Sequence, residues 1–235
     1  MSNVIIRVNM LFLVLTLAVS LVCFAQSEQG QPRVATALEG QIPSDAVVLF
    51  DGRGLDQWTY ADGSPAGWIV ENGTMTVKDG SIVTRKKFGD MQIHLEFLVP
   101  IPAEGEKGQA LGNSGIYIQR NYEVQILDSY KNETSPELSC GSVYKLHAPL
   151  VNVTRPPGVW QTFEIIFHAP RFDSSGNKTK AATVTVLHNG VLIQNHVEIV
   201  PTGGASKHPE IPSGSILLQD HHSPFKFRNV WVREL

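Results

Sequence analysis

The chain has 235 residues, of which 42% are hydrophobic and 17% charged, with a formal net charge of −3. That balance leaves no basic footprint, so a nucleic-acid partner is disfavoured. Its 20 Gly and 14 Pro favour turns over long helices, and the length suits one all-β domain.

The first stretch reads as a processing signal. Arg7 precedes an apolar run from Met10 to Phe24, and Ala25 supplies the small residue before a cut. The run is shorter than the ~20 residues of a membrane-spanning helix, so no span is expected after signal cleavage. Leu21 and Val22 lack the small residue that lipidation at Cys23 needs. The predicted organisation is a signal peptide over 1–25, a flexible linker over 26–46 and one β-sandwich over 47–235, exported to the periplasm or the extracellular space. Cleavage leaves Cys140 alone, which removes any intrachain disulfide and points to a buried, inert thiol. Sequons at Asn72, Asn132, Asn152 and Asn177 matter only in a host that glycosylates.

Strands follow in quick succession. Val47–Phe50 opens the domain; Trp68–Val70, Thr74–Val77 and Ser81–Thr84 come next, separated by the hairpin dipeptides Asn72-Gly73 and Asp79-Gly80. Met91–Val99 alternates Ile93, Leu95, Phe97 and Val99 against Gln92, His94 and Glu96. In Leu111–Ser129, Ile116, Ile118, Val124 and Ile126 alternate with Tyr117, Gln119, Glu123 and Gln125. Val143–Leu146 reads as a short strand, Trp160–His168 alternates cleanly, and Thr183–His196 is a hairpin about Asn189-Gly190. Ile216–His221 and Phe225–Glu234 complete an antiparallel sandwich with no helical period in any window.

Parity sorts the candidate site residues. Glu123 and Gln125 share one face of a strand, about 6.6 Å apart, whereas Asp128 has the opposite parity and lies about 16 Å along an ideal strand. Glu123 and Asp128 therefore cannot be the two carboxylates, about 5–9.5 Å apart, of an ordinary glycosidase. Asp128 is better read as the anchor of the strand's end. His221 ends a strand whose same face carries Gln219, a placement that suits a general acid or base or a structural surface His. Asn113, Ser114 and Gly115 enter a strand as either a binding edge or a turn cap. Arg228 either clamps a ligand or pairs with a carboxylate. Trp68 and Tyr144 either stack on a sugar ring or belong to the core. His94, His147 and His168 lack partners at zinc-ligand spacing, so no tightly bound zinc is expected, while calcium or another divalent ion held in a loop by Asp and carbonyl oxygens stays compatible.

The succession LFDGRGLDQW, WIVENGT, NSGIYIQ, YEVQILD, GSVY, GVWQTFEI, HNG, SILLQDH and FRNVWV resembles the 3-keto-disaccharide hydrolase family over nearly the whole span from Val47 to Leu235. The resemblance implies a concanavalin A-like jelly-roll sandwich with a concave carbohydrate-binding face, acting on glycosides oxidised to a ketone at C3. It carries the family's polar positions onto Asn113, Ser114, Glu123, Gln125, Asp128, Tyr144, Gln219, His221 and Arg228. Two departures stand out: His222 where the family commonly has Gly, and Gln161 where it usually has Asn. The implied chemistry is removal of the acidified C2 proton, elimination of the C1 substituent and addition of water, with His221 as the base or the acid and Glu123 as its complement. A lyase that stops at elimination and a non-catalytic carbohydrate-binding module are the alternatives.

Overall fold

Hairpin chemistry sets the first strand boundaries. Asn72-Gly73 and Asn189-Gly190 are left-handed at both residues, with φ of 49° and 74° and of 51° and 80°. That backbone joins two antiparallel strands with the twist they need. The computed structural model describes residues 35–36, 41–202 and 208–235. The expected signal peptide lies outside the described residues, as does most of the expected linker. Asp45, at the end of the span read as linker, is held by Arg233 at 2.8 Å.

The strands are β1 (Val47–Phe50), β2 (Trp58–Tyr60), β3 (Ile69–Glu71), β4 (Thr74–Thr76), β5 (Ile82–Thr84), β6 (Met91–Leu98), β7 (Asn113–Ile118) and β8 (Tyr122–Leu127). After a long irregular stretch come β9 (Trp160–His168), β10 (Arg171–Phe172), β11 (Lys178–Lys180), β12 (Ala182–His188), β13 (Val191–Ile199), β14 (Leu217–Leu218) and β15 (Lys226–Glu234). One antiparallel sheet runs β13-β12-β9-β6-β15-β4-β3, with β1 also paired to β15; the other runs β2-β5-β14-β7-β8. Strands β10 and β11 form a separate ribbon. The helical content of the described residues is two single 3-10 turns, at Gly108–Ala110 and Pro136–Leu138.

The two sheets pack face to face as an all-β jelly-roll sandwich. On the larger, Met91, Ile93, Leu95, Phe97, Phe163, Ile165 and Phe167 are fully buried, and Ile116, Ile118, Val124, Ile126 and Leu218 meet them from the smaller. Tyr122 of β8 and Phe167 of β9 touch across the gap, with ring centroids 5.5 Å apart. Each such side chain contributes about 1.5–3 kcal/mol by leaving water. Strand β15 serves two neighbours on one edge. Asn229, with φ of 47°, makes a bulge between Arg228 and Trp231, so that Lys226–Phe227 pair with β4 while Val230–Val232 pair with β1.

Three local expectations change. Asp79-Gly80 does not close a hairpin: β4 and β5 belong to different sheets, and the chain crosses between them there. The expected strand Val143–Leu146 shrinks to bridges at Val143, because Lys145 is left-handed (φ 60°) and turns the chain. The expected strand Ile216–His221 keeps ladder pairing only at Leu217–Leu218, after which Asp220 bends it.

The stretch around Gly141 lies along the outer edge of β8. Gly141 N–H donates to Gln125 O (2.8 Å), Gln125 N–H to Ser142 O (3.0 Å) and Tyr144 N–H to Glu123 O (3.1 Å). Gly141 has φ of +81°, and a Cβ there would lie 2.1 Å from Ile193 Cδ1. Left-handed strain and overpacking then act together, so Gly141→Ala is expected to destabilise the fold by about 2–4 kcal/mol in urea unfolding. A loss below about 0.5 kcal/mol would show that this segment does not pack as described.

Candidate active site

The site is built on a row of three strands. Gly115 of β7 stands opposite Gln125 of β8, and on its other side accepts the Gln219 N–H at 2.9 Å. The next row places Leu217, Tyr117 and Glu123 side by side. Neighbouring side chains on one face of a sheet lie about 4.5–5.5 Å apart at Cβ. Gly115 therefore leaves a hollow, and its neighbours lean over it. A Cβ there would lie 2.9 Å from Glu123 Oε1 and 3.3 Å from Gln219 Oε1.

The hollow is a cavity of about 210 Å³ lined by Gln109, Asn113, Tyr117, Glu123, Gln125, Tyr144, Gln219 and His221. Every one of these side chains can form hydrogen bonds, which is unusual because ligand pockets are predominantly apolar. The amide nitrogens are committed to the protein. Asn113 Nδ2 donates to Gln109 O (3.3 Å) and Oε1 (3.2 Å), and Gln219 Nε2 donates to Tyr117 Oη (3.2 Å). Gln125 Nε2 approaches Gln109 Oε1 at 3.4 Å. Three oxygens are not committed: Glu123 Oε2, Gln125 Oε1 and Gln219 Oε1 are buried with no protein partner among the described residues. Leaving such a group unsatisfied costs about 1–3 kcal/mol. A ligand rich in hydroxyl donors suits a lining with three unmet acceptors.

Glu123 is the electrostatic centre. It is 3% exposed, and burial pushes its carboxyl up to about 7, against a hydrogen bond from Tyr117 and the charge of Lys145, which pull it down. Lys145 lies over the Tyr144 ring, 5.2 Å from its centroid. His221 reaches the cavity from the bend after β14 and is exposed.

The cavity thus gathers Glu123, Gln125, Asn113, Tyr144, Gln219 and His221 from the predicted set. Ser114, Asp128 and Arg228 are not brought to it. Ser114 faces the other side of β7, where its hydroxyl donates to Gln219 O at 2.8 Å and so holds the cavity's wall. Asp128 accepts the Tyr130 N–H at 3.1 Å and caps the turn after β8, in keeping with its parity. Arg228 belongs to the larger sheet, where it pairs with Glu96 at 2.6 Å and stacks 4.1 Å from the Trp160 ring centroid. Tyr117 and Gln109 are additions. The alternation already puts Tyr117 on the polar face; Gln109 sits in a 3-10 turn with no periodic signal.

Trp68 is core, its indole N–H donating to Gly80 O at 2.8 Å. Cys140 is buried, which pushes its thiol up to about 12 and leaves it unreactive. His94 joins Glu164 and stacks on Trp231 outside the cavity, His168 Nδ1 lies 3.5 Å from Asp90, and His147 meets Glu198 O at 2.9 Å. Among the described residues no three His, Cys, Asp or Glu side chains cluster as metal ligands.

A β-sandwich whose narrow sheet carries a pocket of amides, phenols and one neutral-range carboxyl defines a class: a site for a polyhydroxylated ligand with an acid–base group in reach. The chain belongs to the 3-keto-alpha-glucoside-1,2-lyase-like domain family, which matches residues 45–233. It is similar to the crystal structure of a putative glycosyl hydrolase from Parabacteroides distasonis ATCC 8503, at 42% identity and a TM-score of 0.78, over 88% of this chain and 93% of that one. Two further structures of that description and organism share its fold. One has 20% identity and a TM-score of 0.59 over 81% of this chain and 94% of that one; the other has 22% and 0.57 over 81% and 99%. No curated protein matches the chain. Family and first structure together support a carbohydrate-active enzyme.

The raised carboxyl has a stability consequence. A Glu whose folded pKa of about 7 exceeds the ordinary 4.5 is favoured while protonated, so its contribution is lost as pH rises between those values. Relative to Glu123→Gln, the wild-type protein is expected to lose about 2–3 kcal/mol between pH 5 and pH 8, read by calorimetric unfolding of both proteins. A difference independent of pH would place the Glu123 carboxyl in ordinary solvent.

Proposed function

We propose that the protein cleaves 3-keto-glycosides by removing the C2 proton and eliminating the C1 substituent, with water then added to complete net hydrolysis. The observation that carries this reading is the acid–base inventory of the cavity. Among the described residues lining it, only Glu123 holds a carboxylate. Ordinary glycosidases need two flanking the bond. Elimination needs one base, because a ketone at C3 acidifies the proton on C2.

Glu123 in its ionised form takes that proton, and a pKa of about 7 matches a base working near neutral pH. The C1–O bond breaks as the C1=C2 double bond forms, and His221 donates a proton to the departing oxygen. Tyr144 offers its hydroxyl to the enolate oxygen that develops at C3, while Gln125 Oε1 and Gln219 Oε1 accept from the ring hydroxyls. Addition of water at C1, with return of the proton to C2, gives the free 3-keto-sugar. The family's lyase-like description supports the elimination half of this sequence.

Glu123→Gln and His221→Ala are each expected to lower turnover of a 3-keto-glucoside by at least about 10²-fold with folding intact, while the unoxidised glucoside stays uncleaved by the wild type. Near-normal rates in both variants would overturn the assignment. Accumulation of an ultraviolet-absorbing unsaturated keto-sugar would make the protein a lyase, and binding without product a carbohydrate-binding module. Export, to the periplasm or beyond, is part of the proposal, and N-terminal sequencing of the mature protein is expected to begin at Gln26.

A further inference from the structure

Two irregular stretches of the chain meet at one cavity side chain. The 3-10 turns Gly108–Ala110 and Pro136–Leu138 lie before β7 and after β8, and Gln109 Nε2 donates to Leu138 O at 3.2 Å between them. The backbone around Gln109 is tied to the turn after β8 on both sides. Asn132 Nδ2 donates to Gly108 O at 3.1 Å and to Asp128 O at 2.6 Å, and Asp128 N–H donates to Gly112 O at 2.8 Å. Gln109 is thus half-buried in a loop whose path is fixed.

A backbone carbonyl can only accept, so Leu138 O settles which end of the Gln109 amide faces it: the nitrogen. Gln109 Oε1 is left for Asn113 Nδ2 at 3.2 Å and Gln125 Nε2 at 3.4 Å. Gln125 Nε2 also faces Leu138 O, at 3.5 Å. Both Gln125 contacts are long for hydrogen bonds, yet they decide its orientation. With its oxygen at that end, Gln125 would set lone pairs against two acceptors at once. Its Oε1 is accordingly the end that is buried without a partner. Asn113 is less dependent on the Gln109 side chain, because its Nδ2 also donates to Gln109 O at 3.3 Å, a bond that survives any substitution there.

We infer that Gln109 is a positioning residue that sets the hydrogen-bond polarity of the cavity: by holding the Gln125 amide nitrogen, it keeps the Gln125 oxygen as the acceptor for a ligand hydroxyl. The inference rests on the reading of the cavity as a sugar site. Gln109 acts here through Gln125 and not on the reacting atoms. Without Gln109 Oε1, the Gln125 amide keeps only the contact to Leu138 O and is free to turn over, offering its NH2 where it had offered oxygen. A ligand hydroxyl replaced by fluorine reports the difference, because fluorine cannot donate and leaves a buried oxygen unpaired.

The test measures kcat/KM for a 3-keto-glucoside and for its analogues with fluorine in place of the C4 or the C6 hydroxyl. Wild type, Gln109→Ala, Gln109→Met and Gln109→Glu are compared, and the intrinsic effect of fluorine on the reaction cancels between proteins. Wild type is expected to prefer the hydroxyl at least about tenfold at one of the two positions. Gln109→Ala and Gln109→Met are each expected to reduce that preference about threefold or more, so that loss of folding in one leaves the other to decide. Gln109→Glu still accepts from both amide nitrogens and is expected to keep the preference within about twofold. A merely structural role lowers the rates of all three substrates in step. An unchanged ratio in the folded Ala and Met variants therefore overturns the inference and leaves the catalytic reading standing. Loss of the preference in Gln109→Glu, or no preference in wild type at either position, overturns it as well. No turnover of the 3-keto-glucoside by wild type overturns the reading of the cavity, and this inference with it.

Discussion

A carboxyl group taken out of water must either keep its proton or find compensating charge, and Glu123 has little of the latter. One phenol and one lysine face it, and burial outweighs both. Much of the site's architecture serves that imbalance. Gly115 makes the space into which the group leans, the neighbouring amides spend their nitrogens on Gln109 and Tyr117, and buried oxygens of Glu123, Gln125 and Gln219 remain without partners. The fold tolerates these costs because the opposite face of the same strands is, Ser114 apart, built of apolar side chains in the core. Ile116, Ile118, Val124 and Ile126 are each no more than 1% exposed, and each adds about 1.5–3 kcal/mol.

Division of labour between the two sheets follows. The larger supplies most of the long strands and a continuous aromatic layer, while the smaller gives its outer face to polar chemistry. Arg228, His94, Glu96 and Glu164 form their own network on the outer face of the larger sheet. That network satisfies its own charges, whereas the cavity leaves acceptors open. Unmet buried atoms occur elsewhere too, at Gln119 and Asn121, so what marks the candidate site is their gathering in one cavity around an acid–base group.

Much of this is legible in the order of the residues alone. Strict alternation in β6 and β9 marks which side chains turn inward, and Asn-Gly dipeptides mark two hairpins, because both signals depend only on neighbours along the chain. Parity likewise separates Glu123 and Gln125 from Asp128. It fails for Arg228, since alternation says which way a side chain points but not which sheet its strand joins. Asp79-Gly80 misleads for a related reason: left-handed turns serve a crossing between sheets as well as a hairpin. The strand expected over Ile216–His221 is cut short because Asp220 ends it through bonds to Gly80 and Ser81, remote in sequence. Gln109, in a single 3-10 turn, leaves no periodic trace.

The segment from Gly141 to Tyr144 carries a burden beyond the site. β8 is the last strand of its sheet, and an uncovered strand edge is a template on which another chain can add itself. Gly141, Ser142 and Tyr144 occupy backbone groups of Gln125 and Glu123 along that edge. The stretch that delivers Tyr144 to the cavity therefore also covers a strand edge on which another chain could otherwise add itself. In this protein, loosening the pocket's outer wall and exposing the backbone edge of β8 are one event.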